Sequence, residues 1–254
     1  MVDQTHEGAE GEPVDGASAR PGRTPSPTAV LVELEESLAA HDREAAVRLL
    51  LEAVAAGMPV ETLYADVVGP FLDSVGVSWQ EGRTSVWQEH VATQSVRTAV
   101  EALYPHVLAR KASAERVPVT VAFFCPPKEA HDVGLRILAD RFDLRGFRTV
   151  YVGAGTPVHQ MVAAAIEVEA AVVCLTASTH FHRITLREAV TALEEAIPGL
   201  RILVGGAAFR EYPAEWAPYF VGDLDALFDE LAAQGRRSTG RDLGTEETPD
   251  GSVG

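Results

Sequence analysis

The sequence predicts an N-terminal four-helix bundle followed by a doubly wound α/β domain, a parallel sheet of the Rossmann-like or flavodoxin-like kind. Three observations carry that prediction. Apolar residues recur at helical spacing from residue 28 to about 110. From 117 to about 234 short apolar runs alternate with amphipathic stretches. A polar stretch, Lys111–Arg116, separates the two patterns. Apolar runs alternating with helices mark a parallel sheet covered on both faces.

Each element has its own signal. The first helix is read in AVLVELEESLAAHD, with Val30, Leu31, Leu34 and Leu38 at helical spacing. The second, REAAVRLLLEAVAAG, stops at Gly57, a residue suited to a helix C-terminus. Met58-Pro59 opens a third helix to about Gly82, in which Gly69-Pro70 should cause a kink or a restart. A fourth runs from about Ser85 to Arg110. Four helices on short loops suggest an antiparallel bundle. Strands are then read at 117–124, in FRTVYVG, AAVVCLTAS and RILVGG, with helices between them and a last helix near Asp223–Gln234. Residues 1–27 and 235–254 are rich in Gly, Pro, Ser and acidic residues without periodicity, and are expected to be disordered tails.

Composition narrows the function. Of 254 residues 46% are hydrophobic, enough for a sizeable core. The net charge of −16 argues against a nucleic-acid phosphate-backbone binder and against docking on an anionic membrane. No apolar run approaches a membrane-spanning length, and the N-terminus lacks a basic-then-apolar signal, so a cytoplasmic protein is expected. Cys125 and Cys174 sit in strand-end contexts and read as reduced core residues.

A parallel sheet binds its ligand at the carboxyl ends of its strands. There the first strand is followed by PPKEAHDVG, whose prolines place His131 at the rim. Glu129, two positions earlier, is able to hold one imidazole nitrogen and so raise the basicity of the other. His131 therefore reads as a general base, a metal ligand or a loop-packing residue. Gly134 permits close approach to the next helix. Thr176-Ala177-Ser178 and Gly205-Gly206 supply small residues at two further strand ends. Taken with His131, they describe a rim that admits a large flat or tailed ligand. Neither a dinucleotide fingerprint, a Walker loop nor a nucleophile elbow is present. In the helical half, Glu89 falls on the apolar stripe Val86-Thr93-Val96-Val100-Leu103-Val107, with His90 beside it. A carboxylate on such a stripe needs a partner or a ligand. Trp79 lies on the stripe of the preceding helix with Leu72 and Val75.

The run E-A-H-D-V-G at 129–134, then T-A-S at 176–178 and G-G at 205–206, resembles the cobalamin-binding domain of methionine synthase and its relatives. Their pattern is D-x-H-x-x-G, S-x-L and G-G. Here Glu129 replaces the aspartate, Thr176 the serine, and Ser178 stands where leucine is usual. The resemblance implies His131 as the lower axial ligand of cobalt, with Glu129 as its partner, and a displaced nucleotide tail. The binding residues would include Asp132, Val133, Gly134, Thr176, Ser178, Gly205 and Gly206. The bundle looks like the helical cap over the upper corrin face. Trp79 followed after nine residues by Glu89-His90 is similar to the signature of cobalamin photoreceptors of the carotenoid-regulating type. In those proteins the tryptophan and the E-H pair surround the adenosyl group of adenosylcobalamin, which light removes.

Two departures qualify the resemblance. The gene-regulating members carry an N-terminal winged helix, for which this sequence offers only a short acidic stretch, so direct nucleic-acid binding is not expected. Gln80 stands where their tryptophan is followed by a cobalt-ligating histidine, so that photoproduct is not available at this position. His90, His180 and His182 are other candidates, although the last two read first as surface loop histidines. A related branch, the photocobilins, adds a bilin, and the size of this chain looks like that branch. The resemblance thus implies a non-enzymatic adenosylcobalamin photoreceptor, with biliverdin as a candidate second chromophore, signalling through a protein effector or its own homodimer. The alternatives are a corrinoid methyl carrier serving a methyltransferase and a cobalamin storage module.

Overall fold

The computed structural model describes residues 24–210 and 214–242. The expected tails at 1–23 and 243–254 lie outside the described residues. Helices α1 (Pro27–Ala39) and α2 (Arg43–Ala55) begin at Ser26 and Asp42, whose side chains accept from the backbone N–H of Ala29 and Ala45. The third predicted helix is α3 (Val60–Leu63), a π turn (Tyr64–Val68) and α4 (Gly69–Gln80) in continuous succession. Pro70 lacks an N–H and crowds the carbonyl four residues back. The widened π turn absorbs that defect where a kink or restart was expected. Helix α5 (Val86–Ala112) is the long one, opened by a reciprocal cap between Ser85 and Gln88.

Four parallel strands follow: β1 (Thr120–Phe124), β2 (Arg148–Gly153), β3 (Val172–Thr176) and β4 (Arg201–Gly205), in the order β2-β1-β3-β4. Helices α6 (Val133–Leu144), α7 (Val158–Glu167), α8 (His182–Ala196) and α9 (Leu224–Asp242) cover its faces, as predicted. Alternate strand residues feed two cores: Phe124, Val173, Leu175 and Val204 face Met161 and Leu186, whereas Phe123, Cys174 and Leu203 face Phe142 and Phe228. Both cysteines are free and buried. Short 3₁₀ turns at Ala207–Phe209 and Ala214–Tyr219 went unpredicted.

One boundary needs correction. Residues 235–242 were expected in a disordered tail, yet α9 continues through them. Gly235 is a packing residue: a Cβ there would lie 3.0 Å from Val119 and 3.2 Å from Pro118. Its missing side chain lets the helix approach the start of β1 closely.

The bundle's core does not end at the bundle. Val133 and Leu144 of α6 belong to the same apolar cluster as Leu34, Leu50, Leu63 and Leu103. Polar ties reinforce this seam. The Tyr64 hydroxyl donates to Asp140 at 2.7 Å, Arg136 reaches the same carboxylate at 2.9 Å, and Arg97 and Lys111 pair with Asp132 and Asp143. The cap is thereby held over the strand ends.

Candidate functional site

Order β2-β1-β3-β4 puts the crevice between β1 and β3, where successive connections leave in opposite directions. The β1 loop and the β3 loop meet there around one carboxylate. The Glu129 side chain is fully buried. Its Oε1 accepts from the His131 backbone N–H at 2.9 Å and lies 2.7 Å from His131 Nδ1. Its Oε2 accepts from the backbone N–H and hydroxyl of Ser178, both at 2.7 Å, and lies 2.6 Å from His182 Nδ1. Burial by itself would raise the Glu129 pKa, but the hydrogen bonds from His131 and Ser178 outweigh it and hold the carboxyl well below its usual range. The same bond from Glu129 raises the His131 pKa against the opposing effect of burial. Because Nδ1 is engaged, Nε2 is the nitrogen left to ligate a metal.

His131 is half-exposed and lines a cavity of about 470 Å³ between the cap and the sheet rim. The cap contributes Tyr64, Leu72, Val75, Glu89 and Thr93 to its wall, and the rim contributes Val133, Gly134, Thr176, Ser178 and Gly206. A second cavity of about 320 Å³ runs from Gly134, Thr176, Gly205 and Gly206 down between the sheet and α6, walled by Leu138, Leu175 and Leu203. The two share Gly134, Thr176 and Gly206, so a wide chamber leads into a narrow apolar slot. A Cβ built on Gly134 or Gly205 meets nothing within 4 Å, so these glycines keep space open. Gly206 has φ +100, and a side chain there would collide with the Ala177 carbonyl.

The cap side of the expected site is only partly assembled. Glu89 lines the chamber, accepting from Thr93 Oγ1 at 2.7 Å and pairing with His90 Nδ1. The His90 side chain is itself 64% exposed and outside the chamber wall. Trp79, 42% exposed, also lies outside it, although Leu72 and Val75 of the same stripe are inside. Asp132 sits away from the chamber wall: its carboxylate is taken up by Arg97 and by the Tyr151 hydroxyl at 2.8 Å. Its carboxylate thus ties α5 of the cap to the α/β domain.

Sequence reasoning missed Arg141, Arg210 and the role of His182. Arg141 lies on the helical face of Gly134 and Ile137, and all three line the chamber, so spacing along α6 held that signal. Arg210 also lines the chamber and pairs with Asp73 of α4 at 2.7 Å across the cap boundary. His182 is not a free loop histidine; its side chain is 19% exposed and it shares Glu129 with His131.

Two family models match the chain, each described as a B12 binding domain, over residues 30–104 and 119–232. The chain therefore carries two B12-binding domains. The first is the helical cap and the second the α/β domain, and together they mark a protein that binds cobalamin or a related corrinoid. The chain is 29% identical over 215 residues to the HTH-type transcriptional repressor CarH of Myxococcus xanthus, covering 84% of this chain and 69% of the relative. It is 27% identical over 205 residues to trimethylamine corrinoid protein 1 of Methanosarcina acetivorans, covering 77% of this chain and 89% of the relative. Among solved structures, the monomethylamine corrinoid protein of Methanosarcina barkeri shares the fold, with TM-score 0.67 and 16% identity over 84% of this chain and all of that one. By name these relatives are a transcriptional repressor and corrinoid proteins. No described helix is long and apolar enough to cross a membrane.

The residues present fit a corrin. A planar macrocycle brings its own equatorial nitrogens, so the protein needs to offer one axial donor and not a cluster. Among the described residues no group of three or more His, Cys, Asp or Glu is arranged to hold a metal ion, whereas His131 is the one histidine lining the chamber and has its second nitrogen braced. The glycine-gated slot below suits a displaced nucleotide tail.

Proposed function

We propose that this cobalamin-binding chain is a light sensor that holds adenosylcobalamin with His131 as the lower axial ligand. The observation that carries this reading is that Glu89 of the cap and His131 of the rim line one chamber. His131 would face the lower side of the corrin, and Glu89, with Thr93 fixing its carboxylate, would face the upper group. Glu129 and Ser178 brace His131 from beneath, and Gly134, Thr176, Gly205 and Gly206 leave room for the tail. Cobalamin supplies a cobalt–carbon bond that visible light can break. Trp79 and His90 close over the adenosyl group in this reading, which requires the α4–α5 turn to move inward from its exposed position. Output passes to a protein effector or a second copy of the chain, with no nucleic-acid contact of its own. A bilin such as biliverdin would have a further space available, a cavity of about 750 Å³ that shares Asp73, Val75 and Arg210 with the chamber and is bordered besides by Leu38, Phe71, Val77, Arg83 and Gln88.

A corrinoid methyl carrier is the second reading. It is favoured by the placement of Trp79 and His90 outside the chamber wall, since a carrier has no adenosyl group to enclose. The experiment is the absorption spectrum of protein reconstituted in darkness with adenosylcobalamin, before and after green light, with and without biliverdin. Light conversion and a preference for adenosyl- over methylcobalamin that Trp79→Ala erodes support the sensor. A red band gained with biliverdin supports the second chromophore. A bound but light-silent spectrum supports the carrier, or a storage module, and contradicts the sensor.

A further inference from the structure

Apart from Arg141, each charged side chain on the chamber wall has a partner within the fold. Glu129 braces His131, Thr93 and His90 meet Glu89, and Arg210 pairs with Asp73. The Arg141 guanidinium, on the last turn of α6, makes no hydrogen bond, ion pair or ring contact among the described residues. Acids are not scarce around it. Asp140 and Asp143 flank it in sequence, but Asp140 is taken by Tyr64 and Arg136, and Asp143 by Lys111 and Thr149. A cation near a helix C-terminus suits the helix dipole, a role that any exposed position on that turn would fill. The dipole does not explain a partly buried guanidinium on the wall of a ligand chamber, where an unmet donor fork is costly.

Position narrows what would meet it. Arg141 shares a helical face with Gly134 and lies about 10 Å further from the rim along α6. The Tyr64–Asp140 bond holds the π turn against this stretch of α6, and there the chamber is walled by the small residues Ala65 and Gly69. Such an opening suits a short chain ending in an oxygen acceptor rather than a ring. The edge of a corrin carries chains of this kind, carboxamides, of which the longer propionamides project from the lower face. With His131 beneath the ring, Arg141 lies on that side. We infer that Arg141 is a specificity-determining residue of the corrin site, donating its fork to the carbonyl oxygen of a lower-face propionamide. The inference rests on the reading above that the corrin occupies this chamber with His131 on its lower side. A guanidinium binds a carboxylate more strongly than an amide, so the site should favour a corrinoid in which this propionamide has been hydrolysed to the acid.

Binding titrations in dim red light compare wild type with Arg141→Met and Arg141→Lys. The ligands are methylcobalamin, its separate acids with one propionamide hydrolysed, and methylcobinamide, which keeps the amides but lacks the phosphate of the nucleotide tail. Arg141→Met should weaken methylcobalamin roughly tenfold or more, the loss expected for a hydrogen bond to a charged group, and methylcobinamide by a similar factor. One of the acids should bind wild type more tightly than methylcobalamin does, lose that advantage in Arg141→Met and keep part of it in Arg141→Lys, which retains the charge without the fork. Arg141→Gln carries the comparison if thermal melts show that Arg141→Met does not fold. Wild-type affinities in Arg141→Met, or acids that bind wild type no better than the amide, would overturn the inference. A loss seen with methylcobalamin and absent with methylcobinamide would give Arg141 to the tail phosphate and overturn it equally. His131→Ala, run in parallel, separates this claim from the reading beneath it. If His131→Ala and Arg141→Met both keep wild-type spectra and affinity, the corrin does not occupy this chamber. If Arg141→Met alone does so, the chamber stands and the Arg141 contact fails.

Discussion

Glu129 is where this site concentrates its chemistry, because a fully buried carboxylate is costly unless every lone pair is used. The bonds from His131 and Ser178 hold its pKa in the fold below the ordinary 4.5. A depressed acid stabilises the fold above its unfolded pKa and loses that contribution as pH falls toward its folded value. Glu129→Gln should therefore cost about 1–3 kcal/mol at neutral pH, since an amide leaves two imidazole donors and a hydroxyl poorly matched. Denaturant titrations of both proteins check this, with a gap that is full at neutral pH and narrows progressively below about 4.5. A gap that is constant with pH would assign the loss to packing instead. At this scale the sequence was informative about His131 and Glu129, because their spacing lies within one loop. It was silent about His182, which reaches Glu129 across a separation of 53 residues that only the sheet order closes. Nor did motif position reveal that the Asp132 carboxylate is taken up by a buried pair with Arg97.

At the scale of elements, the slot beneath the chamber depends on glycines at the start of α6 and the end of β4. Gly134 has nothing within 4 Å of where a Cβ would stand and occupies a helical position. Gly134→Leu should leave the fold intact or stabilise it by about 0.5–1 kcal/mol through helix propensity. The same change puts a side chain into the slot that Gly134 shares with Gly205 and Gly206. Cobalamin affinity should fall roughly tenfold or more, equivalent to about 1.4 kcal/mol. Thermal melts and a binding titration check the two halves separately, and a variant that binds as well as wild type would remove the slot from the site. The helices and strands themselves were legible because each carries a clear period. The π turn was not, since nothing in Tyr64–Val68 distinguishes a widened turn from an ordinary one before Pro70 is packed. The extension of α9 was missed because Gly235 serves a close approach to Pro118 rather than a helix end.

For the molecule as a whole, two kinds of tie join cap and α/β domain, and their burial decides their worth. Asp132 is 8% exposed and its partner Arg97 27%, whereas Asp73 and Arg210 are 75% and 38% exposed. Removing one member of a buried pair strands a charge at a cost of about 3–5 kcal/mol, and an exposed pair contributes about 0–1 kcal/mol. Arg97→Ala should thus destabilise the protein by several times as much as Arg210→Ala, as measured by chemical denaturation. Equal effects would contradict the view that α5 is the anchored side of the cap and α4 the loosely tied one. In the proposed sensor that asymmetry would let the end of α4, with Trp79, change position while the chamber floor stays fixed.

The proposed function depends on His131 donating to cobalt in place of the cofactor's own nucleotide base. Electron paramagnetic resonance of the protein loaded with cobalamin in its paramagnetic cobalt(II) form, with and without heavy-nitrogen histidine labelling, tests it most directly. The splitting from the axial nitrogen should change from triplets to doublets on labelling and disappear in His131→Ala. Triplets indifferent to the label would show the nucleotide base still on cobalt, and would contradict the account.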